Sequence, residues 1–480
     1  MKTELLEKQT FIEPDKIFKL LEENRNPSKQ QIREIISKSL EIETLTPQEV
    51  ACLINLKDED LWHEIFKTAL EIKKKVYDNR IVVFAPLYIT SYCINNCLYC
   101  GFRKTNTVVQ RKVLTFDEIK KEVQVLAGDI GHKRVIAVFG EHPKYSNIDY
   151  IVKTLQTIYS VKVTTKTGSL ASIRRVNVNC APLSVEELKL LKQAGIGTYQ
   201  VFQETYHPGM YRKIHPNNTP KSNYEWRLYC MHRALEAGIE DVGIGVLYGL
   251  YDWRFEILAL VCHARELEEK YGVGPHTVSF PRLEPAINTP FVEKTPYKVK
   301  DEELKKIITI IRLAIPYTGM IITARESKEF RDEVFKLGIT QTDASSKIGV
   351  GSYSQPQQQQ QPNLQQFILG DTRTLEELIL DLAKMGYITS FCTAGYRCGR
   401  TGDKIMNLIK CGKEAVFCKL NAILTFREWI DDFATEEVKK EVEPIVEKEL
   451  KEVEQKLPKW FPHLVEFYSR IKNGERDVYF

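Results

Sequence analysis

The sequence lacks the features of a membrane or secreted protein. No apolar run approaches the ~18 residues needed to cross a bilayer, and the opening MKTELLEKQTF contains no apolar segment of the signal-peptide type. The 480 residues carry a net charge of only +4 against 28% charged residues. Charge therefore gives no reason to expect nucleic acid or an anionic membrane as a partner. We expect a cytoplasmic protein that binds neither nucleic acid nor a membrane.

The sequence also lacks the cysteine distribution of a disulfide-stabilised protein. Its 11 cysteines are an odd number, and most of them fall in two clusters, at residues 93–100 and 392–418. A disulfide framework would spread them along the chain. The clustering favours metal binding in a reducing or anaerobic compartment.

The first cluster has the spacing C-x3-C-x2-C, formed by Cys93, Cys97 and Cys100, with Tyr99 before the last cysteine. Neighbouring thiolates suit zinc or an iron–sulfur cluster. A closed zinc site needs a fourth ligand, yet no other histidine or cysteine lies between Lys75 and Gly131. Three thiolates on a four-iron cube leave one iron open to a small molecule. The segment therefore predicts a catalytic [4Fe-4S] cluster, with a structural three-cysteine site as the alternative.

The chain that contains this cysteine cluster alternates between strand-like and helix-like segments. Short β-rich apolar runs alternate with helical segments, which predicts an α/β fold, a (β/α) TIM-type barrel that is complete or nearly so. We expect it over residues 79–344, between a helical N-terminal collar at 1–78 and a mostly helical C-terminal domain at 345–480 that contains a glutamine-rich surface tract. The predicted strands are 81–85, 135–139, 174–178, 197–202, 242–247, 277–280 and 320–323.

Polar residues follow three of the predicted strands. Glu141 comes after the second, Glu204 after the fourth, and Arg325 and Ser327 after the seventh. Catalytic groups of a (β/α) barrel lie at the carboxyl ends of its strands. An arginine there could bind a substrate carboxylate bidentately, although any one of these residues could instead form a structural ion pair. Taken together above one cluster, they indicate a functional site.

The cysteine motif, with Tyr99 and the pair Gly140 and Glu141, resembles the signature of radical S-adenosylmethionine (SAM) enzymes. The chain further resembles the tyrosine lyases that mature [FeFe]-hydrogenase, the HydG family, which is related to the tyrosine lyase of thiazole biosynthesis. The resemblance is carried by residues 173–184, 195–207, 236–256, 272–286 and 392–402.

This resemblance implies a carbon–carbon lyase. It would cleave L-tyrosine with the SAM-derived 5′-deoxyadenosyl radical to p-cresol and dehydroglycine, and form CO and cyanide for assembly of the hydrogenase H-cluster. A reducing electron donor and other hydrogenase maturation proteins would be its partners. The implied sites are a SAM cluster on the three cysteines, SAM contacts from Tyr99, Glu141 and Glu204, and a tyrosine-carboxylate site at Arg325 and Ser327.

The resemblance also implies a second, auxiliary iron–sulfur cluster, and here the sequence departs from the family. The family motif is C-x2-C-x22-C; Cys392 and Cys418 occupy its ends, but Gly395 replaces the middle cysteine, and Leu420 replaces a following proline. Cys398 or Cys411 could be recruited instead. Two thiolates bind a [4Fe-4S] cluster weakly, so we predict that this cluster is absent or labile. Its loss would impair CO and cyanide formation but not tyrosine cleavage.

An extra iron at the auxiliary cluster is held by a histidine in the family. The match falls best on His263, with His276 as the alternative, while an ordinary helix-surface role is equally open for His263. Two other functions remain: a tyrosine lyase that forms no CO or cyanide, and a non-catalytic iron carrier or scaffold. A carrier has no need of carboxylates and an arginine at several strand ends.

Overall fold

The computed structural model describes residues 10–355, 360–400, 402 and 413–480. The strands, numbered in chain order, are β1 Arg80–Thr90, β2 Arg134–Phe139, β3 Val163–Thr164, β4 Leu170–Ala171, β5 Arg175–Asn179, β6 Tyr199–Gln200, β7 Val242–Gly245, β8 Thr277–Ser279, β9 Gly319–Ile322, β10 Gln341–Asp343 and β11 Ile388–Ser390. The α-helices are α1 Pro14–Glu23, α2 Lys29–Leu40, α3 Pro47–Ile54, α4 Glu59–Tyr77, α5 Phe116–Gln124, α6 Ile148–Ser160, α7 Val185–Gln193, α8 Pro208–Ile214, α9 Tyr224–Leu228, α10 Cys230–Glu236, α11 Trp253–Tyr271, α12 Pro290–Lys294, α13 Asp301–Ala314, α14 Lys328–Val334, α15 Leu375–Lys384, α16 Lys413–Phe433, α17 Glu436–Lys456 and α18 Phe461–Lys472.

Eight parallel strands form a closed barrel, which confirms the predicted fold. Their order is β1, β2, β5, β6, β7, β8, β9 and β10, and β10 returns to pair with β1, with Val82 opposite Gln341. Each of the seven predicted strands overlaps a barrel strand; the eighth, β10, was not predicted. β3 and β4 form a separate antiparallel hairpin, and β11 extends the sheet along the start of β1.

The barrel helices begin where the sequence supplies a side-chain cap. Thr115, Ser184 and Thr374 each accept a hydrogen bond from a backbone N–H in the first turn of α5, α7 and α15, and a glutamate three residues later bonds back to the cap. Such capping boxes satisfy amide groups that would otherwise have no partner. They fix the start of each helix, and with it the preceding loop at the carboxyl end of a strand.

Helices from both ends of the chain cover the barrel. α4 packs on α13, and α1 and α3 pack on α11. On the C-terminal side, α16 packs against β11, α17 and α18. The predicted domain limits at residues 78 and 344 fall between α4 and β1 and directly after β10; the division into three domains stays a prediction. Among the described helices, none is both long and apolar enough to span a membrane.

Candidate active site and a second cysteine site

A cavity of about 250 Å³ opens at the carboxyl ends of the barrel strands. Its walls bring together residues that are far apart in sequence: the three clustered cysteines, Glu141, Glu204 and Arg325. The barrel explains the convergence, because parallel strands end at the same rim. The cavity also reaches down between Phe84, Ile136 and Ile321 inside the barrel.

The cysteine loop that follows β1 is held by its backbone. Ile94 N–H donates to the carbonyl of Glu141 (2.8 Å), and Leu98 N–H donates to the carbonyl of Ile214 (3.1 Å). Gly140 permits the close approach, since a Cβ there would lie 2.3 Å from the carbonyl oxygen of Tyr92. The Gly-Glu pair therefore has a structural task besides any ligand contact: its glycine lets the cysteine loop lie against the end of β2.

The three thiols line one part of this cavity. Gln366 Nε2 donates to the sulfur of Cys100 (3.3 Å), and Asn95 Nδ2 donates to that of Cys93 (3.6 Å). Burial raises the pKa of Cys97 to about 12, so this thiol stays protonated at neutral pH unless a strongly bound cation such as iron replaces its proton on the sulfur. In the described part of the chain, no three His, Cys, Asp or Glu side chains lie close enough to share one metal ion. Three convergent thiols spaced more widely than the ligands of a single ion fit a [4Fe-4S] cluster.

Two carboxylates flank the thiols. Glu141 Oε2 accepts a hydrogen bond from Asn95 Nδ2 (2.6 Å). Glu204 Oε1 accepts from Lys221 Nζ (2.6 Å) and Arg227 Nη2 (3.2 Å). Burial opposes ionisation of Glu204, but the two cations lower its pKa below the usual value. Both side chains thus present oxygen atoms at the cavity that can accept hydrogen bonds from an amine or hydroxyl.

Glu204 is held in an unusual backbone conformation by a residue that sequence reasoning missed. Its φ is +72°, in the left-handed region that costs energy for a residue with a Cβ. The next two residues are anchored by Glu256 of α11, which accepts hydrogen bonds from the Thr205 hydroxyl and from Tyr206 N–H (2.8 Å). Burial raises the pKa of Glu256 to about 8. A sequence signal existed, because this glutamate sits in the otherwise apolar run FEILALV.

Tyr99 contributes its ring to the cavity and turns its hydroxyl away. The hydroxyl donates to Nε2 of the buried His215 (2.9 Å), whose Nδ1–H donates to the Tyr211 carbonyl (3.0 Å). Lys221 Nζ lies 5.6 Å from the centre of the Tyr99 ring. The ring is therefore fixed between the cysteine loop and the Glu204 cations.

Arg325 reaches the cavity and Ser327 does not. The Arg325 guanidinium lies over the ring of Phe367, 3.3 Å from its centre, and no described residue accepts a hydrogen bond from it. Ser327 is exposed, and its hydroxyl accepts from Phe330 N–H (3.3 Å) as the N-cap of α14. A stacked guanidinium with free donors is suited to bind a carboxylate.

Glu284, which follows β8, is a second cavity residue that sequence reasoning missed. It is half-buried and has no hydrogen bond or ion pair with any residue the structure describes. Burial raises its pKa to about 7. It lies in the segment FPRLEPA, where nothing about the residue type separated it from an ordinary loop glutamate.

A second, smaller cavity lies at the opposite, amino ends of the strands. Cys392 and Cys418 line it together with His276, Arg175 and Asp241. Arg175 Nη1 donates to the sulfur of Cys392 (3.8 Å), and His276 Nε2 lies 3.9 Å from Asp241 Oδ2. The site therefore combines two thiols and an imidazole with an arginine–aspartate pair.

The structure brings His276, not His263, to this second cavity. His263 lies in α11, where its Nδ1 shares a hydrogen bond with the buried hydroxyl of Tyr206 (2.8 Å). It is buried, contrary to an ordinary helix-surface position, because the rings of Phe11 and Tyr206 pack against it on the inner face of α11.

The described residues do not complete a three-thiol set in the second cavity. Gly395 lines the cavity where the family has a cysteine. The sulfur of Cys398 instead donates to the carbonyl of Phe480 (3.5 Å), outside the cavity lining. Cys411 lies outside the described residues. These donors do not fit a cluster that needs three thiolates, so the second cavity is assigned no catalytic step.

Known proteins match the chain over nearly all of its length. Residues 87–261 match the radical SAM superfamily, and residues 279–388 match the biotin and thiamin synthesis associated domain. The 2-iminoacetate synthase of Salmonella typhimurium is 31% identical over 353 residues, which cover 73% of this chain and 88% of that protein.

Two solved structures agree with this chain end to end. A crystal structure of HydG, a maturase of the [FeFe]-hydrogenase, is 47% identical with a TM-score of 0.92 and covers 98% of this chain and 100% of its own. HydG from Carboxydothermus hydrogenoformans is 37% identical with a TM-score of 0.77 and covers 96% and 97%. The chain belongs to the radical SAM superfamily of enzymes, and within it to the HydG family.

Proposed function

We propose that this protein is a carbon–carbon lyase that uses SAM and a [4Fe-4S] cluster to cleave L-tyrosine to p-cresol and dehydroglycine, as a step in [FeFe]-hydrogenase maturation. The observation that carries the proposal is Arg325, a guanidinium with no hydrogen-bonded partner in the described chain, in the same cavity as three convergent thiols. An iron carrier would need the thiols but not the arginine. The relatives support the proposal, since 2-iminoacetate is dehydroglycine and HydG is a maturase.

Each cavity residue has a defined task in this proposal. Cys93, Cys97 and Cys100 hold the cluster, and Glu141 and Glu204 bind polar groups of SAM. When bound, the cluster and SAM supply the 5′-deoxyadenosyl radical that starts the reaction.

The substrate end of the cavity is formed by other residues. Arg325 binds the amino acid carboxylate through two parallel hydrogen bonds, and Phe367 keeps the guanidinium in place by stacking. The apolar barrel residues Phe84, Ile136 and Ile321 exclude water from the reacting centre. These contacts hold one amino acid near the radical and limit side reactions.

The second cavity favours a restricted form of this function. The HydG resemblance assigns CO and cyanide formation to a second cluster, but Gly395 and the outward position of Cys398 leave Cys392 and Cys418 as the described thiols of that cavity. The proposal is therefore that tyrosine cleavage is intact while CO and cyanide formation is impaired. His276, rather than His263, is the proposed ligand for an extra iron.

The proposed setting is the reducing cytoplasm, with an electron donor and other hydrogenase maturation proteins as partners. None of the ten described cysteines forms a disulfide, as expected in such a compartment.

Anaerobic reconstitution with iron, sulfide, SAM and a reductant tests the function. Addition of L-tyrosine should yield p-cresol, and L-phenylalanine, which lacks the phenol hydroxyl, should yield no toluene, the equivalent product of its cleavage. Reconstituted iron without 5′-deoxyadenosine or p-cresol would favour the carrier function instead.

A further inference from the structure

Two oppositely charged side chains in the active-site cavity form no hydrogen bond or ion pair with any described residue. Seven charged residues of the described chain line the cavity. Five of them form hydrogen bonds or ion pairs with other protein groups: Glu141, Glu204, Lys221, Arg227 and Asp343. The remaining two are Arg325 and Glu284.

The other charged groups near Glu284 are already paired. Arg282 donates to Asp301 (2.7 Å) and to both oxygens of Glu326. Arg325 and Glu284 influence each other electrostatically, yet no ion pair within 4.0 Å joins them. A guanidinium and a carboxyl that are partly buried and held apart in one cavity are complementary to a molecule that carries both a carboxylate and an ammonium group. A free α-amino acid is such a molecule.

We propose that Glu284 binds the α-ammonium group of the substrate and accepts one of its protons, while Arg325 holds the carboxylate. This inference rests on the proposed function and names a further catalytic residue for it. The proton transfer breaks one N–H bond, forms one O–H bond on Glu284, and leaves the electron pair on nitrogen. It requires no oxidant or reductant.

The product makes such a transfer necessary. The α-ammonium nitrogen of the amino acid carries three hydrogens, whereas the imine nitrogen of dehydroglycine carries one. One hydrogen can leave as an atom to the radical, so one must leave as a proton. The free α-ammonium group of an amino acid holds its proton at neutral pH, because α-amino groups titrate above pH 7. A carboxylate beside it supplies a base where water is excluded.

The surroundings of Glu284 suit this exchange at neutral pH. Burial and the Glu326 charge raise the pKa of Glu284 and Arg325 and Arg282 lower it, with a net value of about 7. A general base is most effective when its pKa lies near the working pH. Glu284 is therefore able both to take the proton and to release it after each turnover.

The experiment compares Glu284→Gln, Glu284→Asp and the wild-type protein, each reconstituted with cluster and assayed for p-cresol from pH 6 to pH 9. The glutamine variant keeps the size of the side chain but cannot accept a proton, so kcat/KM should fall about a hundredfold or more near neutral pH. Its rate should rise towards pH 9, where more of the substrate amine is neutral. The aspartate variant should recover part of the activity and keep the wild-type profile, which rises with a midpoint near pH 7 to a plateau above about pH 8. Asp301→Asn, which removes an exposed carboxylate beside Arg282, should behave as wild type.

The outcomes are distinct. A glutamine variant with wild-type kcat/KM and pH profile would overturn the role of Glu284. Equal losses in both Glu284 variants with an unchanged pH profile would also overturn it, because they would show only a packing defect. Iron content equal to wild type identifies variants that have folded and bound the cluster. If the wild-type protein itself makes no p-cresol, the proposed function fails; the amino acid site is then tested by equilibrium binding of L-tyrosine, which Glu284→Gln should weaken at least tenfold.

Discussion

Replacing Glu256 by glutamine should remove a large pH dependence of stability and leave the Glu204 loop in place. Glu256 is fully buried in α11 and accepts hydrogen bonds from Thr205 and Tyr206 through its two oxygens. A neutral carboxylic acid satisfies both contacts, whereas ionisation places an uncompensated charge in the core. Glutamine can accept through one oxygen only, and it carries no titratable proton.

The magnitude follows from the pKa. Burial raises the pKa of Glu256 from its ordinary 4.5 to about 8, against the hydrogen bonds of Thr205 and Tyr206. A carboxyl whose pKa is higher in the folded than in the unfolded state stabilises the fold at low pH, and that contribution is lost as pH rises through the folded-state pKa. At about 1.4 kcal/mol per pH unit, the full effect is about 5 kcal/mol, of which about 3 kcal/mol falls between pH 5.5 and pH 8.5.

Anaerobic denaturant titrations of wild type and Glu256→Gln at matched iron content measure this difference. The unfolding free energy of wild type should decline relative to the variant by about 3 kcal/mol across that pH range. Parallel stability curves for the two proteins would refute this reasoning, because they would show that Glu256 does not titrate in this range.

Three further substitutions test the remaining residues. Cys97→Ser should abolish 5′-deoxyadenosine formation while circular dichroism stays unchanged, and formation at the wild-type rate would remove Cys97 from the cluster. Arg325→Ala should lower tyrosine-dependent turnover about a hundredfold, because losing one partner of a desolvated charge pair costs about 2–5 kcal/mol; Arg325→Lys should recover part of it, and an unchanged KM for tyrosine would move the carboxylate site elsewhere. Gly395→Cys should add about one cluster of iron per chain and raise the CO yield. Equal iron and equal CO in both proteins would mean that another residue already serves as the third ligand.

The sequence predicted those parts of the fold in which a strand contains or adjoins buried apolar residues. Each of the seven predicted strands does so, as with Val176 and Val178 in β5 and Val278 in β8, so the sequence pattern located them. β10 reads Gln-Thr-Asp, and its polar side chains are bonded inside the barrel: Thr342 donates to the Ile322 carbonyl (2.9 Å), and Asp343 accepts from Ala324 N–H (2.7 Å). These partners lie in the neighbouring strand β9 and just after it, about 20 residues earlier in the chain, so no local pattern at residues 341–343 could indicate the strand.

The residues of the candidate site also fall into those that the sequence pattern could identify and those that it could not. Short-range spacing identified the cysteine loop, and strand ends identified Glu141, Glu204 and Arg325 as residues that would converge. Ser327 sits two residues beyond Arg325, but a helix begins there and takes its hydroxyl as a cap. Glu284 could not be found from sequence, since its distinguishing property is the lack of a partner among the described residues, and that is visible only once the neighbours are placed.

The histidine prediction favoured His263 over His276 for a related reason. His263 and His276 are both preceded by apolar sequence, and only the barrel topology shows that His276 lies just before β8 at the amino end, beside Cys392 and Cys418. Helix α11 carries His263 away to the outer layer of the barrel. Assigning a residue to one end of the barrel requires the strand topology, and a local sequence motif does not contain that information.

The most direct test of tyrosine cleavage uses tyrosine labelled separately in the ring and at the α-carbon. The reconstituted wild-type protein, supplied with SAM and a reductant, should deliver the ring label to p-cresol and the α-carbon label to dehydroglycine, trapped as glyoxylate, in equal amounts. 5′-Deoxyadenosine should form in at least the same amount. If 5′-deoxyadenosine forms while both labels stay in intact tyrosine, the protein is a radical SAM enzyme whose substrate is not tyrosine, and the proposed lyase activity is contradicted.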